Sequence, residues 1–227
     1  MKVKLGELRK HSTDARRRRT DRSHFLNMNS VWYGRGVADD SEYRLCGDVN
    51  GKRVLELGVA TTPSSVQSNS ITLASLGAKA IALDPRADRI AALRERADQA
   101  EMRVECHVGE LADLGFVTSA SIDLVVAAQT LDDIDDLPRL LRQVHRVLRP
   151  ESPFLVSLTH PLAAMFDSGQ LTPQRRYGTN VRSIGELFMS FERSNFRLDV
   201  LHELVPIGAR DAIGPTVLLL RARKQGV

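Results

Sequence analysis

The middle of the chain alternates between short apolar runs and longer stretches with the periodicity of an amphipathic helix. The apolar runs are RVLELG (53–58), KAIALD (79–84), RVECHVG (103–109), IDLVVAA (122–128) and SPFLVSLT (152–159). Short apolar runs that end in glycine or polar residues are typical of buried strands. Strands that alternate with helices predict an α/β fold, with a doubly wound, mostly parallel sheet covered on both faces.

Two helices and a terminal hairpin complete this prediction. Residues 136–148 place leucine and valine at the i, i+3, i+4 and i+7 positions of one helix face, and Asp136 suits the first turn. Ser183 and Glu186 form a possible capping box before a second apolar stretch. Residues 196–205 and 216–223 follow each other without an obvious intervening helix, which predicts an antiparallel hairpin at the edge of a seven-stranded sheet.

The ends of these strands carry the candidate chemistry. Ligands of open α/β sheets bind beyond the carboxyl ends of the strands, where the strand order reverses. Asp84 ends the second strand, where a carboxylate can accept hydrogen bonds from both ribose hydroxyls. Glu110 follows the third strand and can accept from an adenine amine. Together they outline an adenosine site after the turn at Gly58.

In this order, the motifs resemble those of the class I S-adenosylmethionine (SAM)-dependent methyltransferases. The resemblance covers residues 30–160 well and 160–224 loosely, and it is carried by RVLELG, GAKAIALD, VGELADLGF, SIDLVVAAQTL and LLRQVHRVLRPESPFLVSLTHP. The upstream segment VWYGRGVADDSEYRLCGDVNGK is similar to the lead-in of bacterial small-molecule methyltransferases. The resemblance implies a Rossmann-like fold, SAM as the cofactor, no metal, and methyl transfer to a small-molecule acceptor.

The resemblance also implies a set of cofactor-binding residues. These are Trp32 as an aromatic cover, Glu56, Gly58 and Ala60 in the glycine loop, Asp84 at the ribose, Glu110 and Leu111 at the adenine, and Ala128 and Gln129 beside the methionine part. His160, at the end of the fifth strand, is the candidate general base for an acceptor that must lose a proton. The alternative for His160 is a histidine hydrogen-bonded within the turn before Pro161.

The glycine loop departs from the family pattern ExGxGxG, because Ala60 and Thr62 replace its second and third glycines. A β-branched residue such as Thr62 disfavours the positive φ that glycine allows. The stretch TTPSSVQSNS predicts a helix capped by Thr62, with Pro63 as its first residue. Two outcomes follow: a reshaped loop that holds SAM, or a closed site in a catalytically silent binding protein. The absence of G-x-G-x-x-G argues against a nicotinamide enzyme.

The distribution of charge sets the first 23 residues apart from the rest of the chain. Residues 1–23 contain nine basic and three acidic residues, a net charge of +6, which leaves −2 for the rest because the whole chain carries +4. We therefore expect a basic mobile arm (1–23), a lead-in (24–50) and the methyltransferase-like domain (51–227). The arm is a solvated segment, a contact in a homo-oligomer, or a sequence-independent contact to nucleic acid.

The sequence shows no long apolar segment and no recognisable secretion signal, which predicts a cytoplasmic protein. Cys46 and Cys106 lack the spacing of a metal or redox site, so we expect both to be reduced thiols.

Overall fold

A computed structural model describes residues 30–60, 66–132, 134–167, 169–209 and 212–226. The predicted basic arm, the first residues of the lead-in, and the loop position Thr62 with Pro63 lie outside these residues.

The described residues form one seven-stranded sheet. Its strands are β1 (Arg53–Leu57), β2 (Lys79–Asp84), β3 (Val104–Val108), β4 (Leu124–Ala128), β5 (Pro153–Thr159), β6 (Phe196–Leu204) and β7 (Val217–Lys224). The order across the sheet is β3-β2-β1-β4-β5-β7-β6, so the direction of winding reverses between β1 and β4. The first five strands are parallel, whereas β7 pairs antiparallel with both β5 and β6. The predicted α/β sheet with an antiparallel C-terminal edge is confirmed.

Helices precede or connect several of the strands. They are α1 (Asp40–Tyr43), α2 (Asn69–Ser75), α3 (Ala87–Gln99), α4 (Leu137–Val147), α5 (Pro161–Ala164) and α6 (Ile184–Glu192). The Asp136 side chain caps α4 by accepting a hydrogen bond from the Arg139 N–H. The capping box predicted for Ser183 and Glu186 is present at the start of α6.

Helix α2 begins at Asn69, so the start predicted from Thr62 and Pro63 is wrong for this helix. Residues 66–68 are not helical, and Ser68 is the N-cap. The Asn69 side chain exchanges two hydrogen bonds with the backbone of Trp32, at 2.8 and 3.0 Å. Contacts distant in sequence therefore fix the start of α2, in place of the local threonine–proline signal.

The two faces of the sheet bury separate cores. Leu55 and Leu57 of β1 face the core that packs under α4 and α6. Val54 faces another core, which contains buried side chains of the lead-in and Leu73 of α2. Because side chains alternate along a strand, Glu56 lies on the same face as Val54, toward the lead-in.

The lead-in is held in place by the carboxylate of Asp40. This carboxylate accepts a hydrogen bond from the Tyr33 hydroxyl at 2.6 Å and from the backbone N–H of Leu45 at 2.5 Å. It also accepts from the backbone N–H of Cys46. Burial, followed by the nearby Cys46 and Asp40, raises the pKa of Tyr33 well above its usual value, so the phenol stays a donor.

Among the described residues, no helix is both long and apolar enough to cross a membrane.

Replacing Asp40 by alanine removes the acceptor shared by Tyr33, Leu45 and Cys46. We expect the free energy of unfolding to fall by about 2–4 kcal/mol, because buried donors lose a charged partner. Denaturant unfolding of Asp40→Ala beside Glu42→Ala, an exposed neighbour on α1, measures this. Equal stability of the two variants would contradict the anchoring role of Asp40.

Candidate functional site

Glu56 is a carboxyl buried near the end of β1, with 1% of its surface exposed. One oxygen, Oε2, accepts hydrogen bonds from the backbone N–H of Ser70 at 2.9 Å and from the Ser70 hydroxyl. The other oxygen, Oε1, has no hydrogen-bond partner among the described residues. Burial raises the pKa of Glu56 to about 7, although the bonds from Ser70 oppose this rise.

Gly58 follows β1 and adopts a positive φ of 78°. A Cβ at this position would lie 2.5 Å from Cβ of Thr130, so a side chain does not fit. The Thr130 hydroxyl donates to the Leu57 carbonyl at 2.5 Å and thereby holds the two strand ends close together. Glycine is therefore required here both by backbone conformation and by the contact with β4.

Asp84 ends β2 and is 1% exposed. Its Oδ2 accepts from the backbone N–H of Val59 at 2.7 Å, and its Oδ1 accepts from the N–H of Arg86 at 2.8 Å. The Arg89 guanidinium lies 3.6 Å from Oδ2 and donates to the Val59 carbonyl at 3.3 Å. The acid predicted to bind ribose is thus already engaged by the turn after β1 and by Arg89 on α3.

The residues after β3 present a different surface. Glu110 is exposed, whereas Leu111 is buried in the core under α4. Val108, the last residue of β3, is half exposed and lies on the same edge. A partly exposed apolar side chain beside an exposed carboxylate suits an adenine ring, which has apolar faces and an amine at its edge.

Gln129 follows β4 with an unusual backbone conformation, a φ of 57° in a non-glycine residue. Its amide nitrogen Nε2 is buried and has no partner among the described residues. Its neighbour Ala128 is fully buried and pairs with Ser157 of β5. The Ser157 hydroxyl is likewise buried and without a partner in the described part of the chain. Unpaired polar atoms therefore occur on β1, directly after β4, and on β5.

The two predicted site residues that remain on the lead-in side belong to its core. Trp32 is buried there, and its backbone is paired with the Asn69 side chain at the start of α2. Ala60 is partly buried and packs against the same core. The methyl group that replaces a glycine hydrogen at Ala60 thus contributes to packing.

His160 is a helix cap in this structure, so the geometry gives no support to its prediction as a general base. The ring is fully buried, and Nδ1 accepts a hydrogen bond from the Leu162 N–H at 3.1 Å. Nδ1 therefore carries no proton, and Nε2 donates its hydrogen to Glu203 at 2.9 Å. Both nitrogens are occupied, which leaves no lone pair for an acceptor's proton.

Three contacts were not predicted from the sequence. They are the bonds from Ser70 to Glu56, the position of Arg89 over Asp84, and the close approach of Thr130 to Gly58. The bonds from Ser70 to Glu56 have a sequence signal, because residues 68–70 are polar and begin an otherwise apolar helix. The other two depend on how neighbouring strand ends meet in space.

The fold is a doubly wound α/β sheet whose buried polar groups gather at the reversal of strand order, and known proteins show what it is similar to. Residues 64–156 match the Methyltransferase domain family. A probable S-adenosylmethionine-dependent methyltransferase of Mycolicibacterium smegmatis is 30% identical over 156 residues. That alignment covers 69% of this chain and 56% of the relative. The chain therefore contains a domain with the fold of the SAM-dependent methyltransferases.

Solved structures agree on the fold. An S-adenosylmethionine-dependent methyltransferase from Mesorhizobium loti superposes with a TM-score of 0.63 at 22% identity, over 81% of this chain and 96% of that one. A putative SAM-dependent methyltransferase from Listeria monocytogenes also gives 0.63, at 16% identity, over 82% and 96%. The chain spans just over half the length of the curated relative that it matches, 56%.

The unpaired polar atoms of the site fit the family's cofactor, SAM. Its amino-acid end carries an ammonium, which donates, and a carboxylate, which accepts. Once Glu56 is ionised, its Oε1 offers an unpaired acceptor, and Gln129 offers an unpaired donor at Nε2. The two strands that carry them are neighbours at the reversal of strand order.

The raised pKa of Glu56 predicts a pH-dependent stability. The folded state holds a proton on Glu56 that the unfolded state releases between pH 4.5 and about 7, so the free energy of unfolding falls as pH rises through this window. At about 1.4 kcal/mol per unit, the fall approaches about 3 kcal/mol.

Urea unfolding between pH 5 and 8 measures this fall, and Glu56→Gln is expected to abolish it. Glu192→Gln, on the exposed end of α6, is the control that keeps the wild-type slope. A slope that survives in Glu56→Gln would show that another group is responsible.

Proposed function

We propose that this protein transfers the methyl group of SAM to a small-molecule acceptor. The observation that carries the proposal is the pair of unpartnered buried atoms, Oε1 of Glu56 and Nε2 of Gln129, at the reversal of strand order. A buried polar atom without a partner costs free energy, and a ligand that supplies the partner recovers it. The zwitterionic end of SAM supplies both partners at once.

SAM supplies an electrophilic methyl group on a positively charged sulfur. Glu56 would hold the ammonium of SAM and Gln129 its carboxylate, so that the methyl group would be presented to an acceptor heteroatom. An acceptor hydroxyl or amine would lose its proton to bulk water when the product leaves the site. The protein contributes alignment of the acceptor and exclusion of water, which do not require His160 as a base.

Calorimetric titration with SAM and with S-adenosylhomocysteine tests the proposal, and micromolar binding is the expected result. Gln129→Leu keeps the size of the side chain and removes its amide, so we expect about ten- to hundredfold weaker binding of SAM. Gln99→Leu, on the exposed end of α3, is the matched control and should bind as the wild type does.

Absence of heat and of thermal stabilisation at millimolar SAM would defeat the proposal for the wild-type chain. It would favour the alternative, a binding protein that has kept the fold without its cofactor. Ala60 in the glycine loop and the engaged carboxylate of Asp84 are the features that would then explain the loss.

Arg89 provides a second prediction, because it competes with a ribose for Asp84. Removing its charge by Arg89→Gln should tighten SAM binding about two- to fivefold, the equivalent of an exposed ion pair of about 0.5–1 kcal/mol. Arg86→Gln is the control, since the exposed Arg86 side chain pairs with Asp88 instead. Weaker binding by Arg89→Gln would instead make Arg89 part of the cofactor's own contacts.

A further inference from the structure

Three cationic side chains form a row across the amino edge of the sheet, which is the edge opposite the candidate cofactor site. Arg53 is the first residue of β1, Lys79 is the first residue of β2, and Arg103 directly precedes β3. Arg53 and Lys79 are register partners, and Arg103 lies one step before the register pair Ala80–Val104. Because neighbouring strands lie about 4.8 Å apart, this cationic row extends over about 10 Å.

The side chains of the cationic row share one face of the sheet. Leu55 and Ile81, two residues further along β1 and β2, face the core under α4 and α6. Because side chains alternate along a strand, the first residues of both strands face the same side. Val104 packs against the α3 core on the other face, so Arg103 before it lies on the side of the other two cations. Three positive charges are therefore neighbours on one surface.

The cationic row is not neutralised within the described part of the chain. The side chains of its three residues form no hydrogen bond and no ion pair there. The carboxylate next to the row, Asp123, is already engaged, because Oδ2 accepts from the backbone N–H of Arg53 at 2.9 Å and Oδ1 pairs with Arg149 at 2.8 Å. Like charges side by side on neighbouring strands destabilise a sheet. A bound anion would remove this repulsion.

An open cleft of about 600 Å³ lies at the same edge, and all three residues of the cationic row line it. Its wall also has an apolar part, because Met102 and Val104 line the cleft and are partly exposed. An organic group that covers this apolar surface gains free energy from its removal from water. The cleft therefore combines a site for an anion with a surface for a small organic group.

Carboxylates limit the length of the positive surface. Asp98 of α3 and Glu105 of β3 line the cleft beside the cationic row, and Asp123 lies at the other end of the row. A further cation of the lining, Arg94, already donates to a backbone carbonyl of β3 at 3.0 Å. A nucleic acid that continued past the row would meet these carboxylates, whereas one or two phosphate groups would not. The charges therefore favour a small anion.

We propose that this cleft binds a small phosphorylated molecule, with its phosphate on Arg53, Lys79 and Arg103 and its organic part against Met102 and Val104. Guanidinium groups form paired hydrogen bonds with phosphate, and a lysine ammonium adds a compact charge. Strands β1 and β2 have five and six residues, so the cleft lies about 15–20 Å from the candidate cofactor edge. It is a second binding site, and it does not rest on the proposed function.

Three probes test this ligand class through the amide chemical shifts of the isotopically labelled full-length protein, without SAM and at about 0.15 M salt. They are phenyl phosphate, inorganic phosphate and phenyltrimethylammonium. Phenyl phosphate should shift the amides of Lys79 and Val104 and reach saturation. It should bind at least about threefold more tightly than inorganic phosphate, because its ring covers apolar surface. The cationic probe should leave these amides unshifted.

Variants of the cationic row locate the binding. Lys79→Gln and Arg103→Gln should each weaken phenyl phosphate binding about five- to tenfold, because each removes one charged contact to phosphate. Both side chains are exposed, and the amide spectrum of each variant reports its fold. Lys52→Gln is the matched control, since Lys52 directly precedes Arg53, is exposed and does not line the cleft. It removes the same charge and should bind as the wild type does.

Several outcomes would overturn the inference. Equal weakening by Lys52→Gln would show a general attraction of anions to basic side chains. Titration of phenyl phosphate to about 20 mM without saturation, or with shifts only elsewhere in the chain, would exclude the site. Equal affinity for phenyl phosphate and inorganic phosphate would remove the organic part of the ligand. A single-stranded oligonucleotide that shifts the same amides at lower concentration, and loses affinity in Lys79→Gln, would assign the cationic row to nucleic acid instead.

The two proposals fail separately. Saturable binding of phenyl phosphate at Lys79 by a protein that does not bind SAM would uphold the second site and defeat the transferase proposal. Binding of SAM by a protein whose cleft takes no phosphate probe would overturn the present inference alone.

Discussion

The buried carboxyl of Glu56 joins three parts of the structure that are distant in sequence. It lies on β1, it receives both hydrogen bonds of Ser70 at the start of α2, and the neighbouring Asn69 holds the backbone of Trp32 in the lead-in. The carboxyl is almost completely removed from water, so its bonds to Ser70 offset a desolvation cost that the protein cannot avoid. Oε2 of this carboxyl is hydrogen-bonded, whereas Oε1 has no partner among the described residues. The ligand edge of the sheet therefore contains a buried polar atom that a ligand can satisfy.

Most of the fold could be predicted because strand and helix signals are local. The apolar run of β2 and the capping box of α6 specify their elements within a few neighbouring residues. The start of α2 could not be predicted in this way, since the side chain of Asn69 is fixed by Trp32, far earlier in the chain. The local signal at Thr62 and Pro63 predicted an earlier start of the helix, whereas tertiary contacts place the start of α2 at Asn69.

The same difference between local and long-range signals decides which parts of the candidate site could be predicted. Sequence position was enough to place Glu56, Asp84 and Gln129 at three strand ends of one edge, because parallel strands share their carboxyl edge. It was not enough to show that Asp84 is covered by Arg89, or that both nitrogens of His160 are occupied. Those outcomes depend on side-chain reach across a turn and on a partner, Glu203, that lies on a strand in the antiparallel part of the sheet.

The antiparallel course of β7 has a practical consequence for labelling this protein. Since β7 runs opposite to β5, its residue Arg223 lies beside Pro153, where β5 begins, whereas Val217 lies beside Thr159, where β5 ends. The strand thus carries the chain away from the edge of the sheet that carries Gln129. A fluorophore or surface-immobilisation handle attached next to Gln225 would lie at the opposite edge of the sheet, out of the path of a ligand that enters beside Gln129.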